Sequence, residues 1–113
     1  MRTFAEFQII GHVGRVKKVG PTLRVEVAAE YGRKDEGGVF QPKPYWNDVT
    51  LFGEKVIAWA QANLKKGDLV HVRGTLRQTS YEKDGETKYG VTLAAEDFDR
   101  FPSRPAAEES AAA

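Results

Sequence analysis

The sequence predicts an all-β domain: a small barrel of five bent, antiparallel strands with one helix between the third and the fourth. Three observations predict it. Apolar and polar residues alternate with a period of two in separate runs, most clearly LRVEVAAE (23–30), YWNDVTLFG (45–53) and DLVHVRGTLRQTSY (68–81). A single segment, 54–66, switches to helical spacing. Turn-forming residues, Val19-Gly20-Pro21-Thr22 and Asp84-Gly85, separate the runs. At 113 residues the chain is the size of one domain.

The elements follow in order. FAEFQIIGHVGRV (4–16) reads as the first strand, with Phe7, Ile9, Gly11 and Val13 on one face. Gly11 and Gly14 predict a bulge or sharp bend, as in strands that curl into small barrels. In the second strand Leu23, Val25 and Val27 point inward and Arg24 and Glu26 outward. The Gly/Pro-rich segment 32–44 reads as a long, flexible hairpin loop. In the third strand Val49 and Leu51 share one face, and Trp46, Asp48, Thr50 and Phe52 share the other. In the helix Val56, Ala60 and Leu64 form the apolar stripe, with Ile57 beside it; Trp59 on its flank reads as packing. Lys65 and Lys66 fall in its last turn, where the helix dipole favours cations, and Gly67 is placed to end it. The fourth strand points Val70, Val72, Gly74 and Leu76 inward, and the fifth, 88–98, points Tyr89, Val91 and Leu93 inward. This β-β-β-α-β-β order fits the OB-fold, a partly open Greek-key barrel. The expected domain is 1–101; PSRPAAEESAAA (102–113) is a low-complexity tail that cannot build a core.

Seventeen basic and sixteen acidic residues nearly cancel, so net charge decides nothing about nucleic acid; placement must. The absence of cysteine removes disulfides and thiolate metal sites and suits a reducing cytoplasm. The start lacks the apolar core of a signal peptide, and no run reaches membrane-spanning length, so no membrane partner is expected.

The outward faces carry the chemistry. Trp46 and Phe52 lie on the third strand; Arg73, Arg77 and Tyr81 on the fourth; Tyr31 precedes the third, and Lys65 and Lys66 close the helix. Aromatics interleaved with cations on one face suit a single strand of nucleic acid. Bases stack on the rings at roughly 1–3 kcal/mol each, and Lys and Arg track the phosphates. Each residue also has a packing or solvation alternative: a barrel-end cover for Trp46, a seat under the helix for Phe52, a cross-strand pair for Tyr81, a solvated strand face for the arginines, helix capping for the lysines. Asp48, between Trp46 and Phe52, opposes phosphate. Neither histidine, His12 or His71, has metal-ligand spacing, and no hydroxyl has a base and orienting acid nearby in sequence. No catalytic residue, metal or cofactor is therefore expected, and the chain does not read as an enzyme.

The ordered series Trp46, Val49-Thr50-Leu51-Phe52-Gly53, Lys65-Lys66-Gly67, Val70 to Arg77, Tyr81 and Asp84 to Tyr89 resembles the bacterial single-stranded DNA-binding proteins. The resemblance covers roughly 5–98. It implies an OB-fold that wraps single-stranded DNA over stacked aromatics in replication, recombination or repair, as a homo-oligomer, tetramer first and dimer second. It gives stacking roles to Trp46, Phe52 and Tyr81, and places Tyr31 near another family aromatic. Asp48 stands where the family often has a basic residue, and the loop after the first strand is short. The family's acidic Pro-Phe ending is absent, so the resemblance does not extend to recruiting partner enzymes. Two alternatives stay open: a primosome-type OB adaptor with weak DNA binding, and an RNA-binding OB domain, since stacking is largely blind to the sugar.

Overall fold

Five strands and one helix follow one another as β1 (Glu6–Val19), β2 (Thr22–Lys34), β3 (Phe40–Leu51), α1 (Glu54–Asn63), β4 (Leu69–Lys83) and β5 (Glu86–Arg100) in the computed structural model, which describes residues 2–102. Past Pro102, the expected tail lies outside the described residues. The strands close into a barrel in the order β1-β2-β3-β5-β4, the OB-fold topology. All ladders are antiparallel except β3 with β5, which run parallel across Val49–Leu51 and Leu93–Ala95.

Period-two alternation builds the core. Val13, Leu23, Val25, Val27, Val49, Leu51, Val70 and Val72 are at most 2% exposed, and Ile57 and Ala60 of α1 close the barrel over them. Each fully buried Val or Leu contributes about 1.5–3 kcal/mol. The register of β1 against β2 shifts between Val13 and Val16, the irregularity foreshadowed by Gly11 and Gly14. Trp59 packs edge-on against Phe98 of β5, centroids 6.2 Å apart, as its helical position suggested.

The structure corrects four expectations. Segment 32–44 is not a long loop: β2 and β3 stay paired out to Lys34 opposite Phe40. Only Asp35–Val39 turns, where the Asp35 carboxylate accepts the Val39 N–H (2.9 Å) and the Gln41 side-chain amide (2.9 Å). Those bonds, Val39 first, hold its pKa below the ordinary carboxylate value. Pro42 and Pro44 are tolerated because, among the described residues, β2 is the single strand paired with β3 before Val49.

Second, α1 stops at Asn63, and Lys65 and Lys66 fall in the turn after it. The cation at the helix end is instead Arg100 of β5, whose guanidinium donates to the Asn63 carbonyl at 3.0 Å. Third, Leu76, Tyr89 and Val91 are exposed, not inward, and Leu93 is half-buried. The alternation continues, but β4 loses β1 after Thr75 and β5 pairs with β3 no earlier than Leu93. Beyond those points β4 and β5 form a two-stranded ribbon whose barrel-side face is covered by no other strand among the described residues. Its tip is the expected Asp-Gly turn, with Asp84 and Gly85 at φ 53° and 77°. Fourth, the pairing is not wholly antiparallel, as given above.

Candidate nucleic-acid interface

Because side chains alternate across a strand, the β3 residues that bury Val49 and Leu51 turn Trp46, Asp48 and Thr50 outward. Trp46 is 52% exposed, as is Phe52 where β3 ends. The indole is not loose. It lies over Gly14 of β1, where any Cβ would overlap the ring, and stands opposite buried Ala28 in the ladder. A glycine and an alanine beneath it let the ring seat against the barrel while leaving part of its surface to solvent.

The ladder brings cations to the same wall. Arg24 pairs with Thr50 on β3 and with Lys17 on β1, and Arg15, Lys17 and Arg24 line one shallow recess with Glu26 and Asp48. Arg15, Lys17 and Arg24 were not among the residues picked out from sequence. Their signal was available in the outward parity of β1 and β2 beside Trp46. Glu26 and Asp48 face each other in register, and Arg15 approaches Glu26 at 3.5 Å. Like charges directly opposed are unfavourable. Lys65 and Lys66 are exposed close by: their turn is pinned to β1 by the Gly67 N–H on the Val13 carbonyl and the Val13 N–H on the Asp68 carbonyl (2.8 and 2.9 Å).

The remaining candidates do not share this wall. β3 and β4 are never neighbours; β5 separates them on one side and β1 with β2 on the other. Arg77 and Tyr81 are exposed on the β4–β5 ribbon, Tyr81 opposite Lys88. Arg73 is engaged on the outer surface: it donates to Asp97 of β5 (2.7 and 3.1 Å) and to Glu6 of β1 (3.2 Å). The hydrogen bonding to Asp97, then the charges of Asp97 and Glu6, raise its pKa above the ordinary guanidinium value. Arg73 therefore ties three strands together. Tyr31 lies on the side of the β2–β3 hairpin away from Trp46, edge-to-face with Tyr45 at 5.6 Å, because its parity is that of Val25 and Val27. The expected single face is thus two walls and a hairpin.

No helix among the described residues is long and apolar enough to cross a membrane. The chain is 34% identical over 82 residues to a single-stranded DNA-binding protein of Thermus aquaticus, covering 73% of this chain and 31% of that protein. It is 36% identical over 87 residues to one of Aquifex aeolicus, covering 75% and 58%. It therefore spans roughly a third and somewhat over half of the length of these curated relatives. A crystal structure of a deletion mutant of the Thermus aquaticus protein superposes with a TM-score of 0.66 at 28% identity, covering 88% of this chain and 51% of that one. A Plasmodium falciparum SSB solved in complex with ssDNA shares the fold, with a TM-score of 0.70 at 16% identity over 90% and 98% of the two chains. The family model described as single-strand binding protein family matches residues 4–101, and with that match over the whole of the barrel the chain belongs to that family.

Proposed function

We propose that this chain binds single-stranded DNA with little sequence preference, stacking bases on Trp46 and Phe52 while nearby cations meet the phosphates. The observation that carries the reading is Trp46, held over Gly14 yet half exposed, on a wall that also presents Arg15, Lys17 and Arg24. An indole that served only the core would be covered. Lys65 and Lys66 extend the cationic path; Arg77 and Tyr81 offer a second contact on the β4–β5 ribbon, Tyr31 a third. Arg73 serves the DNA indirectly, by fixing β4 against β1 and β5. The binding unit is 1–101, and the family membership supports a role in replication, recombination or repair, in the cytoplasm.

One observation favours a second reading, an OB adaptor that holds DNA weakly. Glu26 and Asp48 set two opposed carboxylates between the Trp46 and Phe52 positions, and Glu26 already draws on Arg15. Titration with oligo-dT, poly-U and duplex DNA, followed by tryptophan fluorescence, separates the readings. Strong quenching by oligo-dT, with affinity falling as salt rises, is expected. Weak quenching by all three would favour the adaptor, and equal quenching by poly-U the RNA reading.

We also propose self-association, as a tetramer or else a dimer. One barrel offers a short binding path, and among the described residues β1 from Glu6 to Gly11 pairs with β4 alone, leaving its other edge open. Light scattering at micromolar concentration should give a multiple of the 12.6 kDa chain mass; a monomer mass would reject assembly.

A further inference from the structure

We propose that Asp48 and Glu26 read the base stacked on Trp46, their carboxylates accepting from an exocyclic amino group, so that this wall favours cytosine over thymine. The preference rests on the single-stranded DNA reading above and is a modest bias within a binder that still takes any sequence. It is built from the ladder. On the outer face β3 carries Trp46, Asp48 and Thr50 in turn, and β2 sets Ala28, Glu26 and Arg24 opposite them. On β1, Lys17 pairs with Arg24, and the bulge of Gly14 and Arg15 lies opposite Glu26. The wall is therefore banded. Trp46 over small residues forms the first row, two carboxylates the second, and Arg24 with Lys17 the third.

The middle row is not explained by stability, since like charges directly opposed are unfavourable. Among the described residues Glu26 pairs with Arg15 alone, at 3.5 Å, and the Arg15 side chain is 90% exposed, so that ion pair contributes little. Asp48 is exposed and has no ion pair among the described residues. Both carboxylates are thus placed to accept from a ligand. Phosphate is the wrong ligand for them and belongs on the third row. A base is the right one. The indole reaches from β3 over Ala28 to Gly14, so a base stacked on it lies beside the carboxylate row, two residues or about 7 Å along the strand from Trp46 to Asp48. The edge of the base, not its face, then meets the carboxylates. Cytosine presents an amino donor on that edge, from which a carboxylate accepts. Thymine presents a carbonyl oxygen at the same ring position, which a carboxylate repels. Both are single rings, and stacking itself is sequence-tolerant, so the edge decides.

The test uses the full chain with oligo-dC and oligo-dT near the short end of the roughly 4–16 nucleotides an OB fold covers, at matched salt and neutral pH. The parent should bind oligo-dC roughly 3- to 10-fold tighter than oligo-dT, the effect of one exposed hydrogen bond. Asp48→Ala should shrink that ratio and tighten oligo-dT, because a charge opposed to phosphate is gone. Asp48→Glu keeps an acceptor and should retain the preference. The double variant Glu26→Ala, Asp48→Ala should bring the ratio to one. Both side chains lie outside the barrel and oppose each other, so the fold does not depend on them. Trp46→Ala should also abolish the ratio although both carboxylates remain, because no base is then held beside them. If the parent binds neither probe, the underlying reading fails. If the parent binds both equally, or the double variant keeps the parent's ratio, that reading stands and base reading by this row is overturned.

Discussion

Trp46→Ala is expected to weaken oligo-dT binding by about 1–3 kcal/mol, a loss of roughly 5- to 150-fold, while the melting temperature changes little. The size follows from losing one stacking platform. The small thermal effect follows from geometry: the ring rests on the outside of the barrel over Gly14 and Ala28 and fills no core position. A truncation there opens no internal cavity, unlike the buried Val49 or Leu51 on the same strand, where removing methyl groups carries a cavity cost. Oligo-dT titration and a thermal melt on the same preparation decide the matter. A large drop in melting temperature with unchanged affinity would make Trp46 a packing residue. Because the cations of this wall come from β1 and β2, the residual binding of Trp46→Ala should keep its salt dependence.

Gly74→Ala is expected to lower the stability of the fold sharply. Gly74 faces inward on β4, buried, at the point where its register with β5 shifts. A Cβ there would overlap the carbonyl of Ala94 across the ladder, which is main chain and has no rotamer to adopt. Neither strand has room to retreat: Val72 is fully buried two residues before on β4, and Ala94 is itself 6% exposed. Overpacking of this kind costs about 3 kcal/mol or more when backbone must move, lowering the melting temperature by roughly 10–20 °C in a domain of this size. Gly90→Ala is the matched comparison on β5, because a Cβ there meets only the Tyr81 ring at an ordinary 3.8 Å. A melt in which both variants unfold within a few degrees of the parent would refute the tight approach.

Much of the barrel was readable from residues alone. Alternation in 23–27, 49–51 and 70–72 identified core residues that are almost completely buried, since a strand with one solvated face must repeat every two residues. The Asp84-Gly85 turn and the outward Trp46 and Phe52 were equally local matters. Length of pairing was not local. The Gly/Pro segment 32–44 read as loop because prolines usually break ladders, and only the arrangement of neighbours shows that β3 is an edge strand there. The same alternation that correctly buried Val72 wrongly buried Leu76, Tyr89 and Val91, because periodicity specifies a face and not what lies against it.

The sequence by itself determined the order of elements and the inward faces of 23–27, 49–51 and 70–72, and therefore that Trp46, Asp48 and Thr50 point out of the barrel. Tertiary closure decided which of those outward residues are near one another. Placing β5 between β3 and β4 separated Trp46 from Arg77 and Tyr81, and folding β1 beside β2 brought Arg15 and Lys17 to the Trp46 wall instead. Partners in space decided the rest: Glu6 and Asp97, 67 and 24 residues away in the chain, engage Arg73, and Arg100 takes the place at the helix end that spacing had assigned to Lys65 and Lys66. The physical reason is the range of each effect. Backbone pleating acts over two residues and is written in the local pattern, whereas ion pairs and ladder neighbours depend on chain closure that no window of sequence contains.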